Sequence, residues 1–243
     1  MSPMPTVQTS PLVLPPPFTQ VAADGNALQE ALRLAPVEGA GSFVYRCAGG
    51  VWSVAVVLEP EVPLATARLA VFAGMGALGD ALAAHCAPER SVRFDYPDGI
   101  RYDKARLGGG RLSVPQGCAE DQVPDWLVFS AELIADRDHL ADPGVFPDST
   151  SLKEEEFDGP EAIMETFASY LMLYFDRWKH QGFAAVAERY LARIDPPMLS
   201  GTRVLEDGDL VERTPGGAER RIRLAEGLAA CRWRDAERDG PRL

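Results

Sequence analysis

The side chains in this sequence best suited to chemistry are carboxylates and arginines gathered around two short glycine-bearing stretches. Asp95, Asp98 and Asp103 fall near one Pro97-Asp98-Gly99 turn, and Glu132 lies on a later apolar run. Together they could hold a divalent cation through oxygen ligands. Solvated turn carboxylates on an acidic surface are the simpler reading, and no metal site is assigned. Gly108-Gly109-Gly110 followed by Arg111 could admit a ligand close to the backbone, with Arg111 pairing with an anion, because glycines leave room and expose amide donors. The same run could equally make a tight bend at a sheet edge. Trp52 and Trp126 could line a slot for an apolar ring or alkyl chain, or serve as core.

Other chemistries find little support. Lys104, Lys153 and Lys179 are the only lysines, so a reaction that needs an amine has three candidates. His85, His139 and His180 stand apart from one another and from any Ser or Cys motif, so neither a catalytic triad nor a zinc site is expected. Cys47, Cys86, Cys118 and Cys231 show no CxxC spacing, and nothing basic adjoins Cys118 to lower its pKa.

The elements that must position these residues follow from periodicity. Asn26–Leu34 has apolar residues at helical spacing behind a capping Asp24/Asn26 signal. Gly41–Arg46 and Val51–Leu58 are β-branched and aromatic runs joined by Cys47-Ala48-Gly49-Gly50, a hairpin signal. Leu64–His85, behind Pro63, reads as a long helix whose Gly74, Gly76 and Gly79 suit close packing on a sheet. Ser91–Tyr96, Ile100–Asp103 and Arg106–Val114 make a strand-turn-strand unit, and Trp126–Ile134 is the next strand. Asp136–Asp148 reads as a surface loop. Glu161–Ile194 carries two helical stretches divided at Gln181-Gly182, with Ile163, Phe167, Leu171, Tyr174 and Trp178 on one face. The acidic run Glu154-Glu155-Glu156 reads as a helical first turn, favourably placed at the helix dipole. After the Pro196-Pro197 break, Thr202–Arg223 reads as short strands around Glu206-Asp207-Gly208 and Pro215-Gly216-Gly217, with a terminal helical piece.

The 243 residues, 46% of them hydrophobic and 25% charged, suffice for one large domain or a large and a small one. A net charge of -12 disfavours a phosphate backbone as the main partner, so no nucleic acid is expected. The best apolar window, Leu69–Gly79, is short for a bilayer and runs into Asp80, so no membrane span is expected. The Pro-, Ser- and Thr-rich start reads as a flexible lead-in without a signal peptide, and a cytoplasmic location follows.

The colinear motifs resemble the biotin/lipoate protein ligase family. Phe94-Asp95-Tyr96-Pro97-Asp98-Gly99-Ile100, then Arg106-Leu107-Gly108-Gly109-Gly110, is similar to the signature KWPND(I/L) followed at the same spacing by K(L/I)(A/G)G(I/L). Thr150-Ser151-Leu152-Lys153-Glu154-Glu155 resembles the family's ATSL segment. Gly182-Phe183 with Tyr190–Arg193 resembles the GF…W.AR ending of its paired helices. Glu206–Val211 resembles the DxxGxLLL strand of its small C-terminal domain. The resemblance spans Phe18 to Cys231 and implies an α/β (α+β) fold: a mixed β-sheet flanked by helices, plus a small SH3-like β module at the C-terminus. The implied division is a flexible segment 1–17, a ligase-like domain 18–198 and a small β domain 199–243.

By that resemblance the protein would use ATP and Mg²⁺ to form an acyl-adenylate of biotin or lipoate, then transfer the acyl group to a lysine of a biotinyl or lipoyl carrier domain. Such chemistry needs cations to offset the charge developing on phosphorus. The sequence departs from the pattern in three places. Asp95 stands where the family has the lysine of KWPND, a reversal of charge, and Lys104 sits in a turn facing solvent. The glycine- and arginine-rich phosphate lid is reduced to Arg46-Cys47-Ala48-Gly49-Gly50, a tight hairpin. The family's GIGxN strand end aligns with Ser130–Ile134, where Glu132 adds a carboxylate. If ligation survives, Arg46, Arg111 and the amides of Gly108–Gly110 must hold the phosphates, with Mg²⁺ bridging to Asp95 or Glu132, and Trp52 lining the acyl slot. The alternative is a catalytically inactive family member that binds a small ligand or a protein.

Overall fold

The computed structural model describes residues 11–195, 201–214 and 216–243. The Pro196-Pro197 break and Pro215 of the last turn lie outside the described residues. A seven-stranded mixed sheet forms the centre, built from β1 (Thr19–Ala22), β2 (Ser42–Ala48), β3 (Val51–Leu58), β4 (Val92–Asp95), β5 (Gly99–Tyr102), β6 (Ala105–Ser113) and β7 (Leu127–Ile134). Its order is β1-β2-β3-β7-β6-β5-β4, and only β1 and β2 run parallel. The β-branched run Val51–Leu58 pairs along its whole length with β7 and forms a hairpin with β2. Gly49 and Gly50 close that hairpin with φ of 64° and 74°, the left-handed pair of a two-residue turn.

Helices cover both faces. On one side lie α2 (Leu64–Ala67), α3 (Ala70–Ala84), α4 (Pro160–Gln181) and α5 (Phe183–Leu191). The stretch expected as one long helix is interrupted at Arg68-Leu69. Leu64–Ala84 is apolar enough by composition to cross a membrane, but 78% of its most apolar window is buried within the fold. Its glycines explain the fit: a Cβ on Gly74 would stand 2.4 Å from the Phe129 ring, and one on Gly76 would stand 2.3 Å from Tyr174. Between α3, α4 and α5 and the sheet lies the main core, where Tyr190 stacks on Phe94 at 4.9 Å and meets Phe72 edge-on. Asp80, which ends the apolar window, receives Arg193 at 2.7 Å and the Tyr174 hydroxyl at 2.9 Å.

On the opposite side, α1 (Ala27–Glu38) packs over β2, β3 and β7, and Asn26 caps it by accepting from the Gln29 amide at 3.1 Å. The C-terminal elements are a three-stranded sheet of β8 (Arg203–Val204), β9 (Leu210–Arg213) and β10 (Glu219–Ile222), then α6 (Leu224–Ala230) and a ribbon of β11 (Arg234–Asp235) and β12 (Gly240–Pro241). The ribbon lies over part of the rest of that face, against β6 and β7, whereas β8 packs on α5, and Gly208 stands against Leu69 and Phe72 on the helical side. Leu210 and Leu224 join the main core, and the Tyr96 hydroxyl donates to the Gly208 carbonyl at 2.7 Å, so this small β module is fastened to the sheet.

Three local features differ from expectation. The strand β1 carries no alternating pattern long enough to read. Leu12, inside the expected flexible lead-in, is buried in the main core, and the Val13 amide donates to Glu165. Glu154-Glu155-Glu156 is a turn and not a helical first turn: Glu156 has φ of 54°, Glu154 pairs with Arg137 and Glu155 with Arg90, and α4 begins only at Pro160.

Candidate functional site

Register places most of the candidate residues in one line. Arg46 pairs across to Ser53, Ser53 to Glu132, Glu132 to Gly109, Gly109 to Gly99 and Gly99 to Asp95. Residues directly opposite one another share a face. Arg46, Glu132, Gly109 and Asp95, far apart in sequence, therefore form a row across β2, β3, β7, β6, β5 and β4 on the face that carries α1, with Trp233 lying on Gly109. Arg111, two residues along from Gly109, lies on the same face opposite Ser130. Trp52 does not join them. It sits one position off the row, fully buried in the main core on the helical side, where it lines no slot on the candidate face.

The glycine run is a bulge and a floor. Register shifts between Ile100 and Arg101, and Gly108, with φ of 152°, meets the β7 backbone so closely that a Cβ would stand 2.1 Å from the Glu132 carbonyl oxygen. On Gly109 lies an indole that the motif reading missed. Trp233 packs so close that a Cβ on Gly109 would be 2.4 Å from its ring, and its Nε1 donates to the Gly110 carbonyl at 3.1 Å. The Gly110 amide is spent on the Asp98 carbonyl at 2.7 Å. Next to Trp233, Arg234 reaches Glu132 at 2.9 and 3.4 Å and Asp239 at 2.5 Å. Burial opposes the Arg234 charge, but the two carboxylates outweigh it and hold its pKa up. No sequence signal short of the alternating Arg232-Trp233-Arg234 marked this segment.

The carboxylates are accounted for individually. Asp95 accepts from Arg101 Nε at 2.7 Å, so its charge is neutralised within the fold. Glu132 is neutralised by Arg234. Asp98 is 3% exposed, and its Oδ2 has no hydrogen-bond partner. Burial pushes its pKa to about 7, opposed by the Trp233 indole, a backbone donor and, more weakly, Arg111 and Arg232. Asp103 lies away from this group, beside Arg90 and the Ser91 amide. Among the described residues no cluster of three or more His, Cys, Asp or Glu side chains is arranged to hold a metal ion.

The guanidinium groups are different. Arg93, Arg101 and Arg106 stand directly opposite one another on β4, β5 and β6. Burial and the neighbouring Arg101 charge both depress the Arg106 pKa. Among the described residues, Arg46, Arg106, Arg111 and Arg232 have no carboxylate within ion-pair distance, unlike Arg101, Arg220 and Arg234. Arg106 and Arg232 border a cleft of about 490 Å³ between the Asp95–Gly99 turn and the C-terminal module, with Trp233 as one wall. That volume lies in the range of small-molecule sites.

A sheet of this order, with paired helices behind it and a small β module over the PDG turn, defines a ligase-type α/β domain. The model of the biotin/lipoate A/B protein ligase family matches residues 14–192, and the chain belongs to that family. It is similar to the crystal structure of a biotin protein ligase-like protein of unknown function from a Silicibacter species, with 26% identity, a TM-score of 0.76, and coverage of 90% of this chain and 99% of that one. The apo biotin protein ligase of Aquifex aeolicus shares the fold at 13% identity and a TM-score of 0.64, covering 84% of this chain and 96% of that one. The Leishmania major biotin protein ligase, solved with biotinyl-5-AMP, shares it at 13% identity and a TM-score of 0.54, covering 86% and 99%. No curated protein matches the chain.

Proposed function

We propose that this protein is a non-adenylating member of its family that binds a small anionic ligand in the cleft beside the Asp95–Gly99 turn. One observation carries the reading: four arginines without carboxylate partners gather about a face on which both Asp95 and Glu132 are already tied to other arginines. Two of them, Arg106 and Arg232, line the cleft itself, beside Arg101, Arg220 and the carboxylates of Asp95, Asp98, Asp195, Glu212 and Glu226, and such unpaired guanidinium groups favour a carboxylate or phosphate there. The same arrangement does not fit ATP with Mg²⁺. Oxygen ligands for the cation would come from Asp95 or Glu132, each already held by a guanidinium at 2.7 or 2.9 Å. The β2–β3 connection is two glycines long and supplies no lid, and the Gly110 amide is committed to Asp98.

The test is pyrophosphate exchange and acyl transfer to a biotinyl or lipoyl carrier domain, with biotin, lipoate or octanoate as substrate. No exchange above background is expected from the wild-type protein. A parallel thermal-shift series with small carboxylates and phosphates should show stabilisation that Arg106→Ala removes, since a ligand that binds only the folded state raises its melting temperature. Exchange at a ligase-like rate, with or without carrier acylation, would overturn the reading and restore the ATP-dependent one.

A further inference from the structure

The outward face of α4 carries apolar side chains that the fold does not cover. Met172 and Leu173, 40% and 54% exposed, are adjacent near the middle of this helix, and among the described residues they are the only exposed hydrophobic side chains larger than valine. Beside Met172 opens an apolar groove of about 490 Å³, walled by Phe18, Val62, Phe175 and Trp178 and bordered by Lys179. At the other end of the same face Val13 is 78% exposed, and its amide donates to Glu165 Oε1 at 2.7 Å. Exposed apolar side chains that cluster in this way mark a surface for another molecule.

The charges on this face select the molecule. Glu165 and Lys179 each lie seven residues from Met172, one on either side, so the three share one stripe of the helix and the two charges stand about 21 Å apart. Among the described residues neither charge has an opposite one within ion-pair distance, whereas Asp176 on the same face lies 3.2 Å from His180. The first turn of α4 is acidic at Glu161, and its last turn is basic at Lys179 and His180. A stripe that runs acidic, apolar, basic is complementary to itself when reversed. A two-fold axis through Met172 sets Glu165 of each copy against Lys179 of the other and packs the two Met172 side chains together. The same rotation carries the exposed Val13 of each copy, which sits at Glu165, toward the apolar groove of the other, which ends at Lys179.

We propose that the outward face of α4 is the interface of a two-fold homodimer in which the two α4 helices run antiparallel across Met172. Helix α4 lies on the side of the sheet opposite α1, so the pairing is independent of the anionic-ligand reading, and the failure of either leaves the other standing.

The experiment is sedimentation velocity on the full-length chain over a dilution series, with Met172→Glu, Lys179→Glu, Glu165→Lys and an equimolar mixture of the last two. All three substitutions fall at the surface, and cooperative thermal unfolding checks that each variant is folded. Wild type is expected to sediment as a dimer that dissociates reversibly on dilution. Met172→Glu should weaken the dimer about tenfold or more by placing two carboxylates on the axis. Lys179→Glu alone sets Glu165 against a glutamate twice, and Glu165→Lys alone sets Lys179 against a lysine twice, so each should weaken self-association about tenfold or more. In the mixture both cross-pairs again join opposite charges, and a heterodimer of near wild-type affinity should form. Monomeric wild type throughout the series would overturn the proposal, as would a dimer indifferent to Met172→Glu. A mixture that associates no better than its two components would refute the antiparallel pairing and the proposal with it.

Discussion

Replacing Asp98 by Asn isolates the most unusual ionisable group of the site. The Asp98 carboxyl has an ordinary pKa near 3.8 and is pushed to about 7 in the fold, chiefly by burial. A raised carboxyl pKa means that between these two values the folded state keeps a proton that the unfolded state has released. Stability from this group is then fully present below the unfolded pKa and is lost as pH rises through the folded one. A difference of about three units, at about 1.4 kcal/mol per unit, gives roughly 4 kcal/mol between pH 4 and pH 8. Asn presents the same shape without the charge, so its unfolding free energy should not carry this slope. Urea denaturation of wild type and Asp98→Asn from pH 5 to pH 8, at fixed ionic strength, should give curves that diverge steadily. The variant should become the more stable protein toward pH 8 by about 2–4 kcal/mol. The difference between the two proteins cancels every other titrating group. Parallel curves would refute the reasoning, because they would mean that Asp98 is ionised and solvated in the folded state.

Two further perturbations probe the covered face. Arg234 and Glu132 are each about one-eighth exposed as side chains, 13% and 12%. Either Glu132→Gln or Arg234→Gln should therefore cost about 2–4 kcal/mol by leaving a charge poorly solvated, and the double variant should cost less than the sum, with a coupling of about 1–3 kcal/mol in a denaturation cycle. Additive costs would mean that the pair is not formed in solution. Gly109→Ala should lose about 2–3 kcal/mol, because its Cβ would fall 2.4 Å from the Trp233 ring and 2.5 Å from the Asp98 carbonyl oxygen. An unchanged melting curve for Gly109→Ala would show that the indole does not lie on the glycine floor.

Much of the fold was legible because its signals are local. The hairpin at Gly49-Gly50 needs two residues with positive φ, and two adjacent glycines announce it. The glycines of α3 announce close packing for the same reason: at Gly74 and Gly76 aromatic rings stand where a side chain would be. The motifs around Asp95 and Gly108–Gly110 marked one half of a row whose other members come from β7 and, at the far end, from the hairpin. What stayed illegible was non-local. Whether Trp52 faces the candidate site or the core is a matter of one residue of register, and an alternating run rich in apolar residues does not say which face is which. Asp95 read as a bare negative charge because its partner Arg101 is a cross-strand neighbour of no motif. The break in the Leu64–Ala84 helix and the turn at Glu154–Glu156 follow from tertiary packing and one left-handed residue, neither of which leaves a compositional trace.

The charges on this face fall into two groups. Asp95 and Glu132 each place a carboxylate on this face. Each has its own guanidinium, Asp95 from the next strand and Glu132 from the C-terminal segment. Those pairs are satisfied internally, so they contribute to the fold and offer little to a metal or a polyphosphate. Arg46, Arg93, Arg106, Arg111 and Arg232 have no carboxylate within ion-pair distance among the described residues. The positive charge on this face is thus divided into a structural share, fixed in ion pairs, and, on the anionic-ligand proposal, a binding share, still free. This division supports the anionic-ligand proposal. It also requires that neutralising the binding share, as in Arg106→Ala, weaken ligand-induced stabilisation without lowering the stability of the unliganded protein, whereas neutralising the structural share does the reverse.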